Sequence, residues 1–219
     1  RNIAFASYDG LLYSVEAISH QLRFQFEPDY PISAPLGLSE NLLFAVTDGF
    51  KVYCIDSDNG NIIWEYAAGT PIHQAPRIIG QQLFLVTDNG SMLCVSKATH
   101  QHFWVRENVG QFLAATNSLM YASDAVGNIQ LVSREDGSTL GTLPLRQYTV
   151  RPENDRTDRL FLVTENGRVI CIHEQGADYP LYHQFPDRRP ILPEIAPEEP
   201  VAPEAGAEAP AKPTPDAKK

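Results

Sequence analysis

The feature that most constrains this chain is a tandem repeat of about 40 residues. The phrase FAVTD at residues 44–48 returns 40 residues later as FLVTD at 84–88, and again as FLVTE at 161–165. One column of the repeat, with steps of 40, 40, 37 and 40, holds Ser14, Cys54, Cys94, Leu131 and Cys171. Five copies are visible, the last two degenerate, and such a period predicts a fold of stacked units.

Within a copy, apolar residues alternate with a period of two. Short β-branched and aromatic runs at 42–47, 52–56 and 62–66 are separated by turn residues, which predicts strands. A further strand around 75–79 brings each copy to four strands, with no helical stretch between them. Dipeptides that tolerate positive φ in tight hairpin turns stand at Asp9-Gly10, Asp48-Gly49, Asn89-Gly90 and Asn166-Gly167.

These patterns predict an all-β fold, a β-propeller built from four-stranded antiparallel blades of about 40 residues. A β-helix would have shorter rungs, and a sandwich would not need this period. The blades are predicted at about 1–30 (partial), 31–70, 71–108, 109–146 and 147–185, within a propeller domain at 1–195. Residues 196–219, rich in Pro, Ala, Glu and Lys, predict a disordered tail because they cannot bury enough apolar surface.

Charge and cysteine placement exclude several function classes. The net charge of -10 argues against nucleic acid or anionic lipid as the main partner. No apolar run approaches the roughly 18 residues of a membrane span, so no transmembrane segment is expected. The three cysteines share one column and so belong to different blades, which predicts buried small side chains rather than a disulfide.

Residues 54–64, CIDSDNGNIIW, resemble the blade motif of the pyrroloquinoline quinone (PQQ) repeat family. That motif reads Ala, any, Asp, any two, Thr, Gly, any three, Trp. Asp56, Gly60 and Trp64 stand in register, and Cys54 replaces Ala. In other copies the position of Cys54 is occupied by Cys94 and Cys171, and the position of Trp64 by Trp104 and Phe24. The resemblance implies a structural motif, with Trp filling the space between blades and Gly making the turn.

The family includes true PQQ-dependent dehydrogenases, which bind the quinone with calcium at the propeller axis, commonly under a vicinal disulfide. Here no two cysteines are adjacent, and no acidic residue lies in a matching motif. A metal pair at His100 and His102 lacks a third ligand nearby, and the acidic turn at 56–60 lacks the closing Glu of a calcium loop. We therefore predict no catalytic, cofactor-binding or metal-binding residues and no cofactor.

Non-catalytic members of the family resemble BamB-type scaffolds of the bacterial envelope. This resemblance implies a protein-interaction scaffold in the periplasm or at the outer membrane, with other proteins, including an envelope assembly complex, as partners. Two alternatives stay open: a ligand-sensing propeller of a larger receptor or kinase, and a degenerate PQQ-dependent dehydrogenase.

Four complete blades and a partial one would leave unpaired edges, which native proteins avoid. A strand at 189–193 would close a ring of five blades. Alternatively, this is the C-terminal part of a propeller of seven or eight blades, the number usual in the family. We favour the second arrangement, since the chain starts at Arg1 without a signal peptide and we expect it to be processed or cut from a longer protein.

Overall fold

The computed structural model describes residues 2–184 and residue 187, which form 17 β-strands in five sheets. The first sheet contains β1 (Asn2–Ala6), β2 (Leu12–Glu16) and β3 (Leu22–Phe26). The second contains β4 (Gly37–Ser39), β5 (Leu42–Val46), β6 (Lys51–Asp56) and β7 (Ile62–Ala67). The third contains β8 (Arg77–Ile79), β9 (Gln82–Val86), β10 (Ser91–Ser96) and β11 (His102–Glu107).

The fourth sheet contains β12 (Gln111–Ala115), β13 (Leu119–Ser123), β14 (Ile129–Ser133) and β15 (Thr139–Leu143). The fifth contains β16 (Leu160–Val163) and β17 (Val169–Ile172). Strands pair antiparallel and in chain order within each sheet, as the period-two pattern predicts. Among the described residues, no helix has the length and apolar character needed to cross a bilayer.

The core lies between neighbouring sheets. Because side chains alternate along a strand, each sheet presents one apolar face to the sheet before it and one to the sheet after it. Phe44 of β5 packs with Leu83 and Leu85 of the third sheet, whereas Leu43, next to it in β5, packs with Leu12 of the first. The sheets approach one another at their first strands, where β4 lies beside β8 and β12 lies beside β16.

The turns between the second and third strand of each copy lie at the same end of the sheets as the segments that join one sheet to the next. Ala67, which ends β7, pairs with Lys51, which begins β6. The Asp48 amide donates to the Pro31 carbonyl oxygen at 3.0 Å, which ties the turn to the preceding segment. We call this the connection end, and its turns lie at 7–10, 47–50, 87–90, 124–127 and 164–167.

The last copy differs from the expected four strands. The blade predicted at 147–185 contains only β16 and β17. Pro180 has no N–H to donate to a ladder, and the chain beyond it pairs elsewhere, with the His183 amide donating to the Arg156 carbonyl oxygen at 3.0 Å. The described residues thus contain three four-stranded sheets where the sequence predicts four. The first sheet, in the region predicted as a partial blade, has three strands.

The outer faces of the first and fifth sheets carry exposed apolar side chains. Ile3 and Phe5 are exposed on β1, and Phe161 and Val169 are exposed on the fifth sheet. The predicted ring of seven or eight blades stays a prediction. The strand considered at 189–193 and the tail predicted at 196–219 lie outside the described residues.

Candidate functional site

The residues of the repeat motif come together as a packing unit. Cys54 of β6 lies directly opposite Trp64 of β7, and Cys94 of β10 lies opposite Trp104 of β11. The Asp56 carboxylate accepts hydrogen bonds from the Asp58 amide at 2.8 Å and from the Asn59 side chain at 3.0 Å. These contacts build the hairpin turn that follows β6.

Each aromatic residue of the motif packs on the turn of the next sheet. A Cβ added to Gly60 would lie 2.5 Å from the Phe24 ring, and one added to Gly137 would lie 2.7 Å from the Trp104 ring. In the third sheet the equivalent turn residue is His100. Its ring stacks on the Trp64 ring, with 5.7 Å between the ring centroids. The motif side chains are thus occupied by contacts between sheets.

Both indoles also donate a hydrogen bond to the neighbouring sheet. Nε1 of Trp64 donates to the Lys97 carbonyl oxygen at 3.0 Å, and Nε1 of Trp104 donates to the Arg134 carbonyl oxygen at 3.1 Å. His20 and His100 occupy the column of Gly60 in the repeat, and both have positive φ there, of +58° and +53°. Each of the first three sheets therefore contacts the next one through one aromatic side chain of the motif, Phe24, Trp64 or Trp104.

Burial distinguishes the three cysteines. Cys54 and Cys94 are buried, and burial raises the pKa of both thiols to about 12. The prediction that Cys171 is also buried is wrong, because this side chain is exposed. Cys54 and Cys94 face the following sheet, whereas in the described residues no sheet follows β17 to cover Cys171.

Thiol accessibility gives a direct test of this difference. With a chromogenic disulfide reagent at about pH 8, we expect one thiol per folded chain to react quickly and all three to react after unfolding. The Cys171→Ser variant should lose the fast phase alone. Fast labelling of more than one thiol in a chain that melts cooperatively would contradict the packing described.

A charged cluster joins the first strands of the third and fourth sheets. Arg77 of β8 forms ion pairs with Glu153 and with Asp155, the latter at 3.0 Å. Gln111 of β12 donates to the second oxygen of Glu153 at 3.1 Å. Sequence reasoning missed this cluster because the paired residues lie 76 and 78 positions apart.

The residues present do not fit a calcium and quinone site of the dehydrogenase type. The guanidinium of Arg77 already occupies the place between the two carboxylates where a cation would bind. Nowhere in residues 2–184 do three or more His, Cys, Asp or Glu side chains form a group able to hold a metal ion.

A cleft of about 540 Å³ lies between the third and fourth sheets, at the end opposite the connection end, and Arg134 lines it. The guanidinium donates to Gln82 at 2.9 Å and to the Thr116 and Ile79 carbonyl oxygens at 2.6 and 3.0 Å. Its donors thus hold the two sheets together rather than face an open cavity.

The connection end carries ionised carboxylates held by local donors. A hydrogen bond from Lys51 lowers the pKa of Asp29, and the amide of Leu11 together with the Tyr13 hydroxyl lowers that of Asp9. Burial raises the pKa of Asp124, but hydrogen bonds from Asn128 and the turn amides outweigh it, so the net shift is downward. These groups keep their negative charge at neutral pH.

Exposed apolar side chains lie among these carboxylates. Along the turns and joining segments of this end, the exposed large apolar residues are Tyr8, Tyr30, Phe50, Val126 and Val150. Aromatic side chains with flanking charges, displayed on loops of a rigid scaffold, are typical of protein-binding surfaces. The connection end is therefore the candidate interaction surface.

A family model described as "Outer membrane protein assembly factor BamB" matches residues 9–179, which is most of the chain. The chain belongs to the BamB family. The blade-motif resemblance to PQQ repeat proteins is thereby confirmed. A search of curated protein sequences returned no match.

Solved structures show the same fold. BamB from Moraxella catarrhalis is 13% identical with a TM-score of 0.59, over 86% of this chain and 59% of that one. The computationally designed Ika8 protein is 12% identical with a TM-score of 0.64, over 79% of this chain and 55% of that one. The designed Ika4 protein is 14% identical with a TM-score of 0.53, over 67% of this chain and 92% of that one. The chain thus spans 59% of the length of the BamB structure, and the predicted propeller fold is confirmed.

Proposed function

We propose that this chain is a non-catalytic propeller that acts as a protein-interaction scaffold in the bacterial cell envelope, outside the cytoplasm and associated with the outer membrane. Membership of a family described as an outer membrane protein assembly factor supports this location and role. Its partners are other proteins, including components of an envelope assembly complex.

The observation that carries the proposal is the composition of the connection end. Tyr30 and Phe50 are exposed there beside the Asp29 and Asp48 carboxylates. Exposed aromatic side chains supply large contact area at low entropic cost, and charged neighbours give specificity and steer encounter. The sheets beneath hold these loops in place, which suits a surface that recognises a partner in a fixed geometry.

The non-catalytic part of the proposal rests on how the reactive groups are used. The Glu153 and Asp155 carboxylates are paired with Arg77, and the buried thiols have raised pKa values that suppress thiolate formation. Asp56 is engaged by the hairpin turn that it stabilises. The carboxylates therefore have structural partners that a catalytic role would have to displace, and the buried thiols stay protonated at neutral pH.

The proposal is tested by co-purification from membranes of the native host, with the protein tagged and expressed at its natural level. We expect enrichment of envelope proteins that assemble outer membrane proteins, compared with a tagged periplasmic protein of similar acidity. The control excludes capture by negative charge alone. Recovery of the folded protein in the cytoplasmic fraction, with no such enrichment, would contradict the scaffold role.

Calorimetric titration with PQQ, with and without calcium, tests the enzyme alternative on the same purified protein. We expect no saturable heat from a sample that melts cooperatively. Tight binding that depends on calcium would instead overturn the non-catalytic role.

A further inference from the structure

The turn between β5 and β6 differs from the equivalent turns of the other sheets. In those turns the fourth residue has positive φ and is glycine, at Gly10, Gly90, Gly127 and Gly167. In the β5–β6 turn this residue is Phe50, with φ of +61°. Bulky residues rarely adopt this conformation, because the Cβ atom approaches the following carbonyl oxygen. The chain therefore accepts backbone strain at position 50 that glycine would not carry.

The glycine of this turn lies one position earlier, and the prediction of a positive φ at Gly49 is wrong. A Cβ at residue 49 would lie 2.3 Å from the Tyr30 ring, so glycine is needed there for close approach rather than for its φ. The Tyr30 ring thus packs against the residue that directly precedes Phe50, at the connection end.

Burial does not account for the strained position of Phe50. The side chain remains 41% exposed, and Tyr30 remains 55% exposed. The equivalent turns adopt positive φ with glycine, so the turn requires this conformation but not an aromatic side chain. Non-glycine residues held in such a conformation cluster at sites that bind or react. The structure therefore keeps an aromatic side chain at the surface at a cost in stability.

Carboxylates accompany the two aromatic residues. Asp29 directly precedes Tyr30, Asp48 stands two residues before Phe50, and Glu65 lies on the neighbouring strand β7. The single ammonium group, that of Lys51, is shared by Asp29 at 2.7 Å and Glu65 at 3.3 Å. We call Tyr30, Phe50 and these three carboxylates the Phe50 patch, and its carboxylates outnumber its ammonium group.

We propose that the Phe50 patch binds a segment of a partner protein in which basic side chains flank an apolar side chain. The inference rests on the proposed scaffold function and deepens it by assigning the surface and the chemistry of the partner. The aromatic rings form the apolar centre of the interface, and the carboxylates form its charged rim. Charge complementarity favours lysine and arginine over acidic side chains.

A synthetic peptide tests this assignment without knowledge of the natural partner. The probe is a seven-residue peptide that alternates lysine with leucine, and its control has glutamate in place of lysine. In an NMR titration of the full chain, we expect the lysine peptide to shift the backbone amide signals of the β5–β6 turn and of Tyr30. The glutamate peptide should leave them in place, and added salt should weaken binding by the lysine peptide.

Two variants separate binding from folding. Phe50→Asn removes the ring and keeps a residue that tolerates positive φ, so we expect peptide affinity at least about tenfold lower with a melting temperature no lower than that of the wild type. Ile18→Asn changes an exposed apolar residue in the turn between β2 and β3, at the opposite end of the sheets, and should keep the wild-type affinity.

The outcomes distinguish this inference from the proposed function. If the wild type co-purifies assembly proteins but does not bind the lysine peptide, or if Phe50→Asn binds it equally well, the scaffold role stands and the patch assignment fails. A lower melting temperature of Phe50→Asn would show that Phe50 serves stability and would also overturn the assignment. If no assembly protein co-purifies, the scaffold role fails and the peptide titration still decides whether the patch binds basic segments.

Discussion

Replacing Gly137 by alanine is expected to lower the free energy of unfolding by about 3 kcal/mol. Two costs add at this position. Gly137 has φ of +74°, which strains any residue with a Cβ, and that Cβ would lie 2.7 Å from the Trp104 ring. The ring cannot retreat freely, because its Nε1 donates to the Arg134 carbonyl oxygen at 3.1 Å.

Gly69 provides a matched control, since its φ is +73° and a Cβ there would meet nothing within 4 Å. Gly69→Ala should therefore show the backbone cost alone, about 1 kcal/mol. The measurement is the urea midpoint of the full chain at unchanged m-value. Equal losses for the two variants would show that the Trp104 contact contributes nothing to stability.

The second large effect is expected for Trp64→Ala, which should cost about 4 kcal/mol. Trp64 is 8% exposed, and its ring contacts Phe44 at 5.8 Å and His100 at 5.7 Å between ring centroids. Its removal opens a cavity between the second and third sheets, since no other side chain fills that place. Thermal and urea unfolding of the full chain measure the loss.

Two further variants divide this effect into its parts. Trp64→Phe keeps most of the ring contact but leaves the Lys97 carbonyl oxygen without its donor, so we expect a loss of about 1.5 kcal/mol. Ile62→Ala, at an exposed position of the same strand, should cost less than about 1 kcal/mol. If Trp64→Ala lowers the free energy of unfolding no more than Ile62→Ala does, the packing of Trp64 between the sheets is not a source of stability.

The repeat made much of the fold predictable. A 40-residue period with period-two strands requires units that stack face to face. Within a unit, the ten-residue spacing of the motif places Cys54 and Trp64 opposite each other on adjacent strands. The strand boundaries and most turn glycines follow from the same local rules, because hairpins depend on residues close in sequence. Charge pairs between distant segments, such as that of Arg77 with Glu153, do not follow such rules.

Three features of the candidate site and its surroundings escaped the sequence analysis. The cluster around Arg77 needs residues far apart in the chain to meet, which periodicity does not predict. Cys171 occupies the buried column of the repeat, yet its exposure depends on whether a sheet covers it. The Phe50 patch had a signal in the sequence, since the glycine of its turn stands one residue earlier than in the neighbouring copies.

The repeat, the all-β class, the turn positions and the family resemblance can all be inferred from the amino-acid sequence, because they depend on short-range spacing and side-chain alternation. Long-range contacts determine which faces are covered, which carboxylates are paired and how far the strained Phe50 is exposed. Burial and ion pairing depend on which sheets and segments meet in space. In the turn between β5 and β6 the glycine stands at position 49 instead of position 50. The structure explains this shift, because the Tyr30 ring packs against residue 49 too closely for a side chain.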